Sequence, residues 1–245
     1  MQLDKLPSYK PFGKQAILIE WQQHIDDQIL EDMLRFKEEI QKERTHLIVD
    51  FIVGYHSLTL KYKENYFNYA DEITILQSIY KKNFTAIKTL RFLWEIPVCY
   101  DLEFGVDLEE MTQKSRLSIQ EIISRHSAKT YTVFFIGFLP GFLYLGGLES
   151  DLFFDRKPSP RLKVHKGSVA IGGKQTGIYP SSSAGGWNLI GKTPINFFDV
   201  TKQQPCFASA GDKIKFTPIS LGEFHHLEKE IAKNEYSISK TLVND

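Results

Sequence analysis

Eleven of the sixteen glycines in this 245-residue chain fall between Gly137 and Gly191. They sit among Phe, Tyr, Trp and Pro: GFLPGFLYLGGL over Gly137–Leu148, PSPRLKVHKGSVAIGGKQTGIYP over Pro158–Pro180, and SAGGWNLIGKTPINFFD over Ser183–Asp199. Glycine tolerates positive φ and lets backbone approach backbone or ligand closely. A flexible linker carries Ser and polar residues instead. The segment therefore predicts a tightly turned β structure with a shaped surface, and function is expected there.

Upstream the pattern is different. Gln15–Trp21 reads as a short strand. Asp26 and Asp27 offer caps to a helix with Ile29, Met33, Phe36 and Ile40 on one face. His46–Gly54 and Ser57–Lys63 read as two strands, Asp71 as the cap of a second helix carrying Ile75, Leu76, Ile79 and Tyr80, and Thr89–Tyr100 as another strand. The order β-α-β-β-α-β predicts a ferredoxin-like α/β domain. Asp107 with Glu110, and Ser118 with Glu121, have capping-box spacing and predict two short helices, the second ending near His126. From Thr130 to Pro218, short segments punctuated by Gly and Pro predict a β barrel, and Glu223–Lys233 reads as a terminal helix. The predicted fold class is α+β: a ferredoxin-like domain over residues 1–94, a β barrel over 95–222 and a tail, 223–245.

Lys plus Arg equals Asp plus Glu at 30 each, so no global field draws nucleic acid or an anionic membrane. Met1–Lys14 lacks the apolar core of a signal peptide, and no stretch approaches the roughly 20 apolar residues of a membrane span. Cys99 and Cys206, each in apolar surroundings, read as buried thiols of a cytoplasmic protein.

Gly186–Thr193 (GWNLIGKT) matches the phosphate-loop pattern letter for letter, but bulky residues crowd its interior and a strand pattern follows it. The match is coincidental. Asp107–Ser127 has the outline of a helix-turn-helix, yet its second helix carries only Arg125 as a full positive charge, so packing is the expected role. There is no G-x-S-x-G elbow, no H-E-x-x-H and no zinc-spaced Cys pair, so no metal site and no self-sufficient catalytic set is predicted. Between Gly137 and Lys192, seven Lys or Arg face three acidic residues. These cations either edge a concavity that receives a carboxylate or form a solvated rim. Arg161 stands out because PSPR fixes it on a proline-limited segment. Tyr179 and Trp187 serve equally well as pocket walls or as core. The candidate site joins Arg161 for a carboxylate, Gln175 for an amide or lactam edge, Tyr179 and Trp187, with the backbone of Gly141, Gly167 and Gly186 permitting close approach.

On these three glycine-rich motifs, with Ile96–Asp101 (IPVCYD), the chain resembles the allophanate hydrolase subunit 1 family from about Tyr9 to Pro218. The family is also known as KipI-like kinase inhibitors and as the B subunit of 5-oxoprolinase, with a carboxyltransferase subdomain C/D. The resemblance implies a small α/β domain followed by a cyclophilin-like barrel. It further implies one component of a cytoplasmic, ATP-dependent 5-oxoprolinase that acts with a carboxyltransferase-like C subunit and an A subunit. The substrate is then a small carboxylate or amide, with ATP used by the assembly and no cofactor in this chain. The alternative it carries is inhibition of a sensor histidine kinase; a prolyl isomerase is disfavoured because no cyclophilin catalytic Arg and aromatic set is evident. Two departures fall in the loops: Val164-His165-Lys166-Gly167 stands where the family has V-P-A-G, and Ala184 where it has Pro.

Overall fold

The computed structural model describes residues 6–63, 68–82 and 90–243. It divides into two compact units, Met1–Thr89 and Leu90–Asp245.

The first unit is a four-stranded antiparallel sheet with two helices. β1 (Ser8–Pro11), β2 (Ala16–Glu20), β3 (Ile48–Val53) and β4 (Ser57–Tyr62) lie in the order β1-β2-β4-β3. α1 (Asp27–Arg44) starts where the sequence places it, with the Asp26 carboxylate accepting from the Gln28 amide, and it buries Ile29, Leu30, Met33, Phe36 and Ile40. α2 (Tyr69–Lys81) is capped by Asn68 rather than Asp71, which instead sits in the first turn, where a carboxylate suits the helix dipole. Two buried carboxylates tie the helices down. Asp32 accepts from Trp21 Nε1 at 2.8 Å and Tyr80 Oη at 2.5 Å, and Glu72 pairs with Arg44 and accepts from Tyr62 Oη at 3.1 Å. Burial of Tyr62 beside Glu72 pushes its phenol well above the ordinary range.

The fourth strand of the expected β-α-β-β-α-β order is not in this sheet. β5 (Arg91–Cys99) belongs to the second unit, where it runs parallel to β13 (Lys213–Ile219) over most of its length. The fourth place in the sheet is taken by β1, which is short, polar and ends in Pro11. An edge strand tolerates proline because one row of its backbone groups needs no partner.

In the second unit, β5 is followed by α3 (Leu108–Lys114), α4 (Ile119–Ala128), β6 (Thr130–Ile136) and β7 (Leu143–Gly146). Next come β8 (Arg161–Val164), β9 (Ser168–Gly172), β10 (Gln175–Ile178), β11 (Ser183–Gly185) and β12 (Asn188–Lys192). After β13 the chain forms α5 (Leu221–Ala232), capped by the Ser220–Glu223 box, and β14 (Lys240–Val243), which adds to β5. The sheet order is β12-β9-β10-β7-β6-β13-β5-β14, and a further β12–β5 pairing closes seven of these strands into a barrel. The fold is thus α+β with a closed barrel. Ile96, Val98, Tyr131, Val133, Leu145, Ile171, Ile190 and Phe216 fill it. Phe142, Val164, Ala170, Tyr179, Trp187 and Leu189 form a separate apolar cover. β9 is buried along its whole length: Val169 and Ile171 belong to the barrel core and Ala170 to the cover.

The barrel closes through a glycine. A Cβ on Gly191 would lie 2.7 Å from the Cys99 carbonyl oxygen and 3.0 Å from Val98 Cγ1. Backbone is the obstacle, so the seam must part. Gly191→Ala is expected to cost about 1–3 kcal/mol, lowering the thermal midpoint by roughly 2–12 °C. An unchanged midpoint in differential scanning calorimetry would show that the seam contributes nothing. Gly186–Thr193 is thus the approach to a barrel strand and that strand itself, followed by Pro194 and no helix, and it forms no phosphate cradle.

Candidate functional site

Asp107 precedes α3, but its side chain does not cap that helix. The expected capping box at Asp107 and Glu110 is absent because stronger partners claim the carboxylate. Arg161 Nη2 donates to Asp107 Oδ1 at 2.5 Å, Lys157 Nζ lies 2.9 Å from the same oxygen, and the Leu189 amide donates to Oδ2 at 2.7 Å. Glu110 receives Lys157 and, at 2.5 Å, Lys114; hydrogen bonds from Lys114 and Lys157 hold its carboxyl down at about 2. The cluster ties α3 to the segment entering β8 and to β12. Arg161, expected to face a ligand carboxylate, therefore already holds an internal one. Its Nη1, which is buried, has no hydrogen-bond partner.

The other expected residues lie around the cover. Arg161 pairs with Gly185 across β8 and β11, and Gly185 packs directly on the Tyr179 hydroxyl. Tyr179 is 2% and Trp187 5% exposed, which makes both part of the buried cover, not open walls. Trp187 roofs two glycines: a Cβ on Gly172 would sit 2.6 Å from its ring atoms, and one on Gly177 3.1 Å away. Gln175 pairs with Gly172 and shares the outer face with Gly177, because Thr176 and Ile178 point into the barrel. Gln175 Oε1, an acceptor, has no partner. The structure thus groups Arg161, Tyr179, Trp187 and Gln175 around one cover. The three glycines act differently. Gly141 (φ 83°) packs its Cα against Phe197 and Phe198, Gly167 (φ 83°) against Thr193, and the Gly186 carbonyl accepts from the Lys157 amide at 2.6 Å. Each serves a backbone approach within the fold.

Sequence reasoning missed His126. Fully buried, it stacks on Phe216 at 4.6 Å between ring centroids. Its Nδ1 is 2.8 Å from Tyr100 Oη and its Nε2 is 2.8 Å from Thr176 Oγ1. Thr176 donates its own proton to the Ala170 carbonyl at 3.0 Å, so it accepts from His126. The proton therefore sits on Nε2, and Tyr100 donates to Nδ1. Burial drives the imidazole pKa down to about 3. The available signal was helical: His126 lies four residues after Ile122, on the buried face of α4.

Among the described residues no group of His, Cys, Asp and Glu is arranged to hold a metal, and no helix is long and apolar enough to cross a membrane. Cys99 is a buried free thiol as expected, whereas Cys206 is free but only half-buried; burial raises both pKa values.

Over residues 7–208 the chain matches the carboxyltransferase domain, subdomain C and D. It is similar to the 5-oxoprolinase B subunit of Bacillus subtilis, 46% identical over 140 residues covering 57% of this chain and 58% of that relative. The matched part is thus less than two thirds of that relative's length. It is also similar to the 5-oxoprolinase B subunit of Haemophilus influenzae, 39% identical over 181 residues, 74% of this chain and 83% of the relative. The urea amidolyase of Kluyveromyces lactis shares the fold at a TM-score of 0.82 and 16% identity, covering 97% of this chain and 16% of that one. With its closed barrel and a match spanning both units, this chain belongs to the carboxyltransferase-domain family of subdomains C and D.

Proposed function

We propose that this chain is the B subunit of a cytoplasmic, ATP-dependent 5-oxoprolinase, acting with a carboxyltransferase-like C subunit and an A subunit. In that reaction water adds across the lactam C–N bond to give glutamate, while ATP is hydrolysed to ADP and phosphate. The observation that carries the reading is the identity of 46% and 39% to relatives named for that component. The geometry supports an accessory role: the fully buried His126 is committed at both ring nitrogens to Tyr100 and Thr176. Glutamate release by the reconstituted complex, with and without this chain, tests it. Undiminished release without the chain rejects the reading.

Gln175 and Arg161 are the residues proposed to meet a small carboxylate or amide; Gln175 Oε1 and Arg161 Nη1 are unpartnered but closed to solvent, so a ligand reaches them only as the cover beside Trp187 shifts. Because Gln175 Oε1 has no partner in the fold, Gln175→Ala removes no internal bond through that atom. We expect glutamate release to fall about tenfold, the equivalent of one hydrogen bond of about 1–1.5 kcal/mol, with the thermal midpoint unchanged. Full release by the variant places Gln175 outside the site.

A further inference from the structure

The loop joining β6 to β7 holds an aromatic side chain out of the fold in a strained backbone. Phe138 has φ 66° and is 62% exposed. A non-glycine residue there costs energy, and such strain persists only where the surroundings enforce it. Here they do. The Gly137 amide donates to the Phe142 carbonyl at 3.1 Å and the Phe142 amide to the Leu139 carbonyl at 3.0 Å. At the loop's far end, a Cβ on Gly141 would lie 2.8 Å from Phe198 Cβ. The loop is pinned, and Phe138 is presented.

Phe138 is the exposed end of a continuous aromatic cluster centred on the buried Phe142. Its ring meets Phe142 edge-on at 5.6 Å; Phe142 lies 4.9 Å from Tyr144 and 5.5 Å from Trp187. Tyr144 stacks on Phe135 at 4.2 Å, and the exposed Arg156 guanidinium sits 5.6 Å over Trp187. Phe, Tyr and Arg held in fixed positions are the composition of an interface hot spot.

The charge of the segment indicates what it meets. Of its cations, Lys157 and Arg161 are spent on Asp107, and Lys192 lies between the rings of Phe104 and Phe224. Arg156, Lys163, Lys166 and Lys174 have no carboxylate partner among the described residues. The acidic side chains Glu149 and Asp151 are engaged by Arg125. What remains is four cations without a carboxylate partner against one further acid, Asp155, on a segment with an aromatic projection.

We infer that the face formed by Phe138, Tyr144 and Arg156 docks a second polypeptide, through an acidic surface with an apolar recess that takes the Phe138 ring. Naming that polypeptide as the carboxyltransferase-like C subunit rests on the function proposed above. A protein fits better than nucleic acid, since the chain's formal net charge is zero and its rings stack on one another rather than standing free for bases.

Three variants test the inference: Phe138→Ala, which removes the ring and keeps the strain; Phe138→Gly, which removes both; and Arg156→Glu. Binding to the purified C subunit is measured by isothermal titration calorimetry, with thermal midpoints and glutamate release of the reconstituted complex alongside. We expect each variant to weaken binding roughly tenfold or more, Phe138→Gly to leave the midpoint level or raised, and added salt to weaken the wild-type complex. If the wild-type complex forms and releases glutamate but the variants bind equally well, the docking face is wrong and the functional reading stands. If the wild type does not bind the C subunit, both fall. Loss in these variants of binding to a labelled single-stranded RNA, with binding to the C subunit intact, also overturns the inference.

Discussion

Asp107→Ala is expected to destabilise the second unit by about 3 kcal/mol, at the low end for breaking a buried ion pair. The Asp107 side chain is 3% exposed and compensates two cations of unequal burial, Lys157 at 14% and Arg161 at 31%. Removing it leaves the Arg161 guanidinium without a counter-charge and the Leu189 amide without its acceptor. Lys157 keeps Glu110, and Arg161 retains some solvent, which is why the low end applies. The thermal midpoint should fall by roughly 6–12 °C. Asp107→Asn keeps an acceptor for the Leu189 amide while losing the charge, and its midpoint should lie between wild type and Ala. A loss below about 1 kcal/mol for Ala would show that the cluster is solvated and does not hold α3 to the barrel.

Acid is expected to weaken the second unit before Glu110 titrates, because of His126. Its folded-state pKa, about 3, lies far below the ordinary histidine value of 6.5. Between these values the unfolded chain binds the proton and the folded one does not, so stability falls as pH falls. It is fully present above about 6.5 and drains away toward pH 3, at up to about 1.4 kcal/mol per pH unit. Glu110, whose folded pKa of about 2 is set by Lys114 and Lys157, loses its contribution in the same direction but only below its ordinary value of 4.5. The window from pH 6.5 to 4.5 therefore isolates His126 from Glu110. Urea midpoints across it should slope steeply for the wild type and much less for His126→Gln, which cannot take up the proton. Equal slopes would mean that the imidazole is open to water in the native state.

Some of this was decided locally and was legible from the chain alone. The Ser118–Glu121 box and the apolar face of α1 appear as expected because a cap or a helical stripe involves residues three or four apart. Gly141, Gly167 and Gly173 sit at positive φ in the turns where their motifs predicted tight reversal. The barrel follows from such punctuation, and the family from the motifs themselves. What the tertiary structure alone decided depends on residues far apart in sequence. Asp107 reads as a helix cap until Arg161 and Lys157, about fifty positions away, arrive in the same buried space and outcompete the amides of its own helix. β5 reads as the last strand of the first sheet, but β13 offers it a long parallel partner. Tyr179 and Trp187 suit wall and core equally by composition, and the close approach of Gly185 to Tyr179 and of Gly172 and Gly177 to Trp187 made them core. In each case the local preference is small, and desolvated charge, a long hydrogen-bonded ladder or aromatic burial outweighs it.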